Sequence, residues 1–391
     1  MPGDGPSAGP GRPRLGALDG MRGAAALGII AIHVWMFLPD RGLATPGTLS
    51  DELMGQLRLG MPMFFVLSGY LIFRPYAAAA IEGRPLPRLG VYALRRVARV
   101  GPAYWIAILL TAAVLAGLGS GYAQPASVLP SFLLFLQVYD PSAMGRLNPP
   151  TWTVAVEASF YLLVPLFAIL VAALTSRMRD PGRRRAVLAV ACGGLLLTGA
   201  TVLGLASLNG WGVDVRHTLP ARLASFGAGM LVAVLAHDRR TSRRGTVALA
   251  AAGTALVLAE AGWLVSDLGP AAMHLALVDT PASIGFALVI AAVATGRLPG
   301  AVVFERGPLQ WYGTLSFGVY LTHFPVIYVL RTLERFPDGP VAAIGLVLGI
   351  STVLAIVSWH VVEKPAIAWA RRRTPSRTPA PRPVLVGASG D

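Results

Sequence analysis

Ten runs of roughly 20 mostly apolar residues divide this chain, and a run of that length lets an α-helix cross a bilayer. Only 13% of the residues are charged and 54% are hydrophobic, whereas soluble domains carry about a quarter charged residues. Water cannot solvate such a surface, so we expect lipid to surround most of the chain. The runs cover approximately 18–38, 57–78, 97–118, 153–175, 186–207, 219–236, 246–265, 273–295, 308–330 and 340–362.

The charged connections indicate how these runs are oriented. Cytoplasmic loops of membrane proteins carry an excess of arginine and lysine. A further apolar piece, 127–139, is too short to span, and all the basic connections share one side only if this piece does not cross. The basic connections are the N-terminal arm, 74–99, 177–185, 237–244, 297–306 and the tail from Arg371.

The sequence therefore predicts an all-α fold, a polytopic transmembrane helix bundle of about ten spans plus one short re-entrant or interfacial segment. We expect it in the cell (cytoplasmic) membrane, with both termini cytoplasmic. The expected domains are a disordered N-terminal arm, 1–17, a membrane domain, 18–370, and a disordered basic tail, 371–391. The oligomeric state stays open.

Charge and cysteine content exclude two other classes of protein. The net charge of +14 does not indicate nucleic-acid binding, because the arginines form short runs between apolar blocks instead of one basic groove. The chain has one cysteine, Cys192, so neither a disulfide framework nor a cysteine metal site is possible. We expect no metal.

Arg22 and His33 stand out because ionisable residues within a span are energetically costly and often functional. They are 11 positions apart in the first run, a spacing that brings both to one helix face, separated by roughly 16 Å along the axis. Each also has a simpler interpretation. A lone histidine can pack between helices, and an arginine near a helix end can extend to the headgroups.

Glu157, in the run 153–175, and His323, in the run 308–330, fall at nearly the depth of His33. Three titratable groups from distant parts of the chain would then meet at one level. A carboxylate beside an imidazole can raise its basicity, as a general base requires. The alternative is a purely structural pair of Glu157 with a histidine. Tyr161 follows Glu157 at i+4 on the same helix face.

Ser68 and Arg95, Arg96 and Arg99 are further candidates. Ser68 precedes Gly69 in FFVLSGYL, where small residues also allow helices to pack closely, and no nucleophile elbow surrounds this serine. The three arginines open the third run in RRVARVGPAYW. They are either ordinary cytoplasmic charges or a phosphate site, because guanidinium binds phosphate oxygens bidentately.

Several motifs together resemble the acyltransferase type 3 membrane proteins, which O-acylate sugars of polysaccharides, lipopolysaccharide and antibiotics. The resemblance implies ten core spans. It implies an essential histidine at His33, the arginine of an arginine–ten–histidine signature at Arg22, a basic cytoplasmic motif at Arg95, Arg96 and Arg99, and an acid at Glu157. The motifs are LDGMRGAAALGIIAIH, FFVLSGYL, RRVARVGPAYW, WTVAVEASFY, GTLSFGVYLTH and Glu363-Lys364-Pro365.

His323 corresponds to a position where members of this family often have histidine. Phe317 stands where the family commonly has tyrosine, which removes a hydroxyl there. Trp152 begins the WTVAVEASFY motif, and with Ser68 and Tyr161 it is a candidate for contacting substrate or for a structural role.

The resemblance implies a membrane O-acyltransferase that moves an acyl group, most simply acetyl, from acyl-CoA to a hydroxyl of a sugar-containing acceptor. His33 would be the general base or a transient acyl carrier, with Glu157 stabilising the imidazolium. Arg95, Arg96, Arg99 and Arg22 would hold the CoA phosphates. The alternative function is a transporter or flippase of a glycan or lipid-linked sugar, since ten spans with buried charge suit that class too.

Overall fold

The computed structural model describes residues 15–39, 48–211, 213–266 and 277–374. Within these ranges the regular structure is entirely helical. The helices are α1 Leu15–Trp35, α2 Leu49–Gly55, α3 Gly60–Glu82, α4 Leu89–Gly117, α5 Leu129–Leu133, α6 Trp152–Thr175, α7 Pro181–Leu208, α8 Val213–Arg216, α9 Leu219–Leu235, α10 Arg243–Val265, α11 Thr280–Thr295, α12 Val302–Glu305, α13 Pro308–Thr332, α14 Pro340–Ser358 and α15 Lys364–Arg373.

The predicted arm and tail lie mostly outside the described residues. Where they are described, their inner ends are helical. Helix α1 begins at Leu15, and Ala17 is buried. Helix α15 continues to Arg373, and its buried Ala370 lies where the helix packs on α4. Both extensions are helical because they have neighbouring helices to pack against.

Eight helices in the described part of the chain are long and apolar enough to cross a membrane, and two shorter apolar helices accompany them. The shorter helices, α9 and α11, have 17 and 16 residues, or about 25 Å of helix at 1.5 Å per residue. They coincide with two of the ten predicted runs. The polytopic helical bundle predicted from the sequence is therefore confirmed.

The outside of the bundle is apolar along the helix lengths, as a lipid-facing surface requires. Leu162 on α6, Val190 on α7 and Leu258 on α10 are 72%, 77% and 64% exposed. In contrast, α9 is enclosed between α3 and α7 and is buried along most of its length. The large exposed side chains therefore face the membrane, and the small and polar residues face the interior.

The segment 127–139 does not cross the bundle. Its regular structure is the end of the 3-10 turn Ala126–Val128 and the five-residue α5, after which Phe135 adopts a left-handed conformation with φ 58°. Two side-chain donors hold it in place, Trp105 Nε1 to Leu133 O at 2.9 Å and Gln137 Nε2 to Thr151 O at 3.1 Å. The predicted non-spanning segment is thus a short, irregular cap.

Alternation of helix direction gathers the arginine-rich connections at one end of the bundle, which we call the basic end. Contacts across it include His237 Nε2 to Glu82 Oε1 at 3.1 Å and Arg185 Nη2 to His237 O at 3.1 Å. The opposite end, which we call the far end, contains the connections before α3, α6, α9 and α14. This segregation follows the loop charges predicted from the sequence.

Two helix pairs that build the interior pack backbone against backbone. A Cβ on Gly69 of α3 would lie 2.2 Å from Phe226 O of α9. A Cβ on Gly23 of α1 would lie 2.1 Å from Leu309 O, and one on Gly313 of α13 would lie 2.0 Å from Asp19 O. Glycine is therefore required at these crossings, as small residues are between membrane helices generally.

Candidate active site

A cavity of about 280 Å³ lies between α1, α3, α6 and α13. Along α1 it extends from Arg22 to Met36, which corresponds to roughly 21 Å of helix. Arg22 is nearer the basic end and His33 is nearer the far end, on one wall of the same cavity, as their spacing predicts. Five of the predicted site residues line it: Arg22, His33, Ser68, Trp152 and Glu157.

His33 is paired with His323 of α13. His33 Nδ1 lies 2.8 Å from His323 Nε2, and the two rings are within 4° of parallel. His323 is fully buried, and its Nδ1 lies 3.3 Å from Val319 O.

That carbonyl contact assigns the protons of the pair. A carbonyl oxygen only accepts, so His323 Nδ1 carries a proton and His323 Nε2 is the acceptor. His33 Nδ1 then donates to His323, which leaves the lone pair of the neutral His33 imidazole on Nε2. Because His33 Nε2 has no hydrogen-bond partner among the described residues, this nitrogen is free to take a proton.

The expected pairing of Glu157 with an imidazole is not what the structure has. Ser68 Oγ donates to Glu157 Oε1 at 2.7 Å, and both residues line the cavity. Equal depth in the membrane does not fix rotation around the helix axis, so Glu157 of α6 faces α3 while His33 faces α13. Glu157 still shares the cavity with His33 and contributes a negative charge to it.

Trp152 and Tyr161 have different surroundings. Trp152 lines the cavity, with the Arg222 guanidinium 5.2 Å from its ring and the His217 ring meeting it edge-on at 4.4 Å. Tyr161 lies outside the lining, and its ring contacts the Arg96 guanidinium at 5.7 Å. One face of α6 thus contacts the cavity through Glu157 and Arg96 of α4 through Tyr161.

Arg95, Arg96 and Arg99 line a second pocket, of about 590 Å³, between α4 and α15. Arg371 and Thr374 complete its polar lining. Arg95 already uses its guanidinium in two directions, with Nε donating to Thr374 Oγ1 at 2.9 Å and Nη2 to Thr374 O at 2.5 Å. One guanidinium thus binds two adjacent oxygens, as it would bind two oxygens of a phosphate.

The two pockets share no lining residue, so the structure does not bring all the predicted arginines to one cavity. Arg99 connects them electrostatically. Its Nη1 lies 4.0 Å from Glu363 Oε2, its guanidinium stacks 5.8 Å from the Trp359 ring, and its charge is close enough to Arg22 to repel it. Arg22 is thus the predicted arginine that faces the cavity, and Arg99 stands next to it at the basic end.

Residues 15–360 match a family model described as an acyltransferase domain. The chain belongs to this acyltransferase family. The resemblance found in the sequence motifs is therefore confirmed, and the enzyme is a transferase. The matched range includes all the site residues described above except Glu363, Arg371 and Thr374.

Three relatives of this acyltransferase carry related names. The chain is 26% identical to the acyltransferase MdmB of Streptomyces mycarofaciens over 393 residues, covering 95% of this chain and 96% of that protein. It is 24% identical to the peptidoglycan O-acetyltransferase OatA of Listeria monocytogenes, with 89% and 55% covered, and 23% identical to the putative peptidoglycan O-acetyltransferase YrhL of Bacillus subtilis, with 89% and 54% covered. The chain spans about half the length of the latter two. No solved structure matches it.

The family match bears on the two classes of function that the sequence left open, and the names of the relatives agree with it. Each of the three relatives is named as an acyltransferase or acetyltransferase, and none is named as a transporter. The buried charges of this helix bundle are therefore those of a transferase.

The acyltransferase has one group of charged residues that the sequence analysis missed. Arg58 of the turn before α3 lines the cavity, and it contacts Asp279, Glu260 and, through Asp279, Arg222. The signal was available, because Arg222 and Glu260 lie within predicted spans, where an ionisable residue is costly unless it is paired.

A cluster with metal-ligand chemistry lies elsewhere in this acyltransferase. Glu82, His237 and Asp238 bring one ligand atom each within 4.8 Å of one another at the basic end. Arg84 donates to Glu82, and Arg185 donates to the carbonyl of His237. Arg84 compensates the carboxylates, so we interpret the cluster as an ion-pair network that joins α3 to the α9–α10 connection.

Proposed function

We propose that this chain transfers an acetyl group from acetyl-CoA to a hydroxyl of a sugar-containing acceptor within the membrane, with His33 as the general base. The observation that carries the proposal is the contact of His33 Nδ1 with His323, which leaves Nε2 of this cavity-lining histidine without a hydrogen-bond partner among the described residues. The relatives named as peptidoglycan O-acetyltransferases support acetyl as the acyl group and a sugar polymer as the class of acceptor.

The residues support the following sequence of events. His33 Nε2 takes the proton of the acceptor hydroxyl as its oxygen attacks the thioester carbonyl. The new C–O bond forms, the C–S bond breaks, and the leaving thiolate recovers the proton from His33. The products are an acetyl ester and free CoA thiol. Proton transfer of this kind by a positioned base is typically worth about 10²- to 10⁴-fold in rate.

His323 and Glu157 act in this proposal on the charged form of His33. Once His33 Nε2 is protonated, the hydrogen bond from His33 Nδ1 to His323 Nε2 becomes charge-assisted and stronger. Glu157, held by Ser68 on the same cavity, adds a negative charge whose field favours the imidazolium. Both effects stabilise a charge that develops during the reaction.

The donor would enter from the basic end. Arg95, Arg96, Arg99 and Arg371 have the chemistry to bind the phosphates of CoA, and Thr374 would give up its place on Arg95 to them. Arg22 would guide the pantetheine arm into the cavity, where roughly 16 Å of helix separates it from His33. This places the phosphates outside the cavity and the thioester within it.

The excess of arginine at the basic end supports a cytoplasmic position for that end, and hence for both termini, in the cell membrane. Acetyl-CoA is a cytoplasmic metabolite, so this orientation gives the donor direct access to the basic pocket. Reporter fusions at the connections 83–88 and 209–211 test it. A fusion that reports a cytoplasmic position for 209–211 contradicts the proposal.

Acetyl transfer is tested with the purified protein in liposomes, by using acetyl-CoA labelled in the acetyl group and a lipid and glycan extract of the producing strain. We expect labelled ester in the extract and equal release of CoA thiol. His33→Ala should reduce transfer by about 10²-fold or more, whereas the control His360→Ala, at an exposed histidine, should not. Near-normal transfer by a correctly inserted His33→Ala protein rules out the mechanism.

The alternative role for His33, as a transient acyl carrier, predicts a different result. Acid quenching and mass spectrometry during turnover would then show an acetyl adduct on His33 Nε2. With His33 as the general base, the quenched protein carries no acetyl group at any time point.

A further inference from the structure

Arg58 is the charged residue that lines the far end of the cavity. It belongs to the turn Gln56–Leu59 before α3, and 31% of its side chain is exposed. Its Nη1 donates to Asp279 Oδ1 at 2.5 Å. Its Nη2 is buried, lies 3.6 Å from Glu260 Oε1 and has no hydrogen-bond partner among the described residues.

Behind Arg58 lies a network of buried charges. Asp279 Oδ2 accepts from Arg222 Nη1 at 2.6 Å, and the Glu260 carboxylate accepts from the backbone N–H groups of Asp279 and Ala282 at 2.7 and 2.6 Å. Asp279, Glu260 and Arg222 are 5%, 2% and 7% exposed. Three helices, α9, α10 and α11, therefore fix the position of the Arg58 guanidinium.

The four ion-paired groups of this network sum to zero, since two guanidinium groups face two carboxylates, and Arg216 lies beyond them, close enough to repel Arg222. An anion approaching Arg58 from the cavity would meet an arginine that Asp279 and Glu260 already neutralise. A sugar hydroxyl or ring oxygen, in contrast, needs only one N–H donor on the exposed part of the Arg58 side chain. The network thus favours neutral hydrogen-bonding groups over phosphate or carboxylate at this end of the cavity.

Trp152 adds a second feature suited to a sugar. It lines the same cavity, and Arg222 contacts its ring at 5.2 Å while also binding Asp279. One buried arginine therefore holds both the tryptophan and the carboxylate that positions Arg58. Met61 and Phe64 complete an apolar wall, against which the C–H faces of a sugar can pack.

We propose that the far end of the cavity is the acceptor subsite and that it takes a neutral sugar, with Arg58 donating to a sugar oxygen. This inference rests on the proposed function, because it assigns the donor to the basic end and leaves the far side of His33 to the acceptor. Arg58 orients the sugar so that one hydroxyl faces His33 Nε2. The subsite is therefore selective against uronic acids and sugar phosphates.

The test compares p-nitrophenyl β-glucoside with p-nitrophenyl β-glucuronide, which differ by one carboxylate. Binding to the purified protein is measured from the shift of the melting temperature against ligand concentration, and acetyl transfer is measured in liposomes. The variants are Arg58→Met and Arg58→Lys, the latter keeping the charge that balances Asp279 and Glu260. The control is Arg146→Lys, an exposed arginine at the same end whose one side-chain hydrogen bond among the described residues is with Gln124.

We expect wild type to bind the glucoside at least tenfold more tightly than the glucuronide. Arg58→Lys should weaken glucoside binding by about tenfold, the effect of losing one hydrogen bond to a charged donor, and should raise KM for the sugar but not for acetyl-CoA. Arg146→Lys should change neither value.

Three outcomes overturn the subsite: equal or tighter binding of the glucuronide, binding of neither sugar, or glucoside binding unchanged in both Arg58 variants. The proposed function fails separately. If the glucoside binds in an Arg58-dependent manner but wild type transfers no acetyl group to any acceptor, the subsite stands and the acetyltransferase activity does not.

Discussion

His33 Nδ1 and His323 Nε2 lie 2.8 Å apart although the two residues are separated by 290 positions in the chain. The helices that carry them, α1 and α13, cross with their backbones in contact at Gly23 and Gly313. The position of the base in the cavity thus depends on a buried second histidine and on a glycine crossing nearer the basic end. Four predictions follow from this arrangement and from the charges around it.

The first prediction concerns His323 as the residue that positions His33. In His323→Leu, His33 Nδ1 loses its acceptor, so the ring can adopt the other tautomer and we expect kcat to fall by about 10²-fold, within the range for a positioned base. His323→Gln retains an acceptor oxygen near the position of Nε2 and should recover part of this loss. KM for acetyl-CoA should not change in either variant.

Steady-state kinetics with both substrates measure these effects. A purely structural role for His323 would make the two variants equally defective and would lower the melting temperature in parallel. Equal kcat values for the leucine and glutamine variants would therefore contradict the tautomer assignment.

The second prediction concerns the glycine crossing. A methyl group on Gly313 would lie 2.0 Å from Asp19 O, so Gly313→Ala must separate α1 from α13 and move His33 relative to His323. We expect lower stability and a fall in kcat of about tenfold or more, because small displacements of catalytic groups are costly.

Gly349→Ala in α14 is the matched control. Nothing lies within 4 Å of a Cβ there, and alanine favours a helix interior by up to about 1 kcal/mol relative to glycine. Its melting temperature should be equal to wild type or higher, with normal activity. If Gly313→Ala behaves like Gly349→Ala, the crossing does not set the site.

The third prediction separates the roles of Glu157 and Ser68. Glu157→Gln keeps an acceptor for Ser68 Oγ but removes a carboxylate from the cavity that His33 also lines, so it should lower kcat and reduce the stabilisation of the imidazolium. Ser68→Ala removes one hydrogen bond to a charged group, an effect of about 1.5–3 kcal/mol, while the charge remains.

Profiles of kcat against pH distinguish the two variants. Loss of the Glu157 charge should shift the acidic limb of the profile, where the general base His33 becomes protonated, to lower pH, since a nearby negative charge favours protonated His33. Ser68→Ala should move this limb less than Glu157→Gln does. The reverse order would show that Glu157 acts through its hydrogen bond and not through its charge.

The fourth prediction concerns the basic pocket. Arg99→Ala and Arg371→Ala should each raise KM for acetyl-CoA by about tenfold, because each removes a charge-assisted contact with phosphate. S-acetylpantetheine has the same thioester without the nucleotide and its phosphates, so its KM should be nearly the same in wild type and variants. Arg372→Ala removes an equal charge from α15 outside the pocket lining.

Parallel kinetics with the two donors provide the measurement. If Arg371→Ala impairs both donors equally, or if Arg372→Ala reproduces the loss for acetyl-CoA, the pocket does not bind the phosphates. The effect on acetyl-CoA should also weaken at high salt, as expected for contacts between exposed charges.

The sequence by itself determined the bundle, because runs of apolar residues can satisfy their backbone hydrogen bonds in lipid only as helices. It also determined that Arg22 and His33 share a helix face, since helical periodicity fixes the direction of each residue on its own helix. The family motifs identified most of the residues that line the cavity.

Only the tertiary structure decided which groups meet across helices. Periodicity gives depth and face for each helix, but the rotation of one helix against another depends on where glycines such as Gly23 and Gly313 allow close approach. That rotation pairs His33 with His323 in place of Glu157. It also brings Arg58 to Asp279 across 221 positions, a contact that no local pattern encodes.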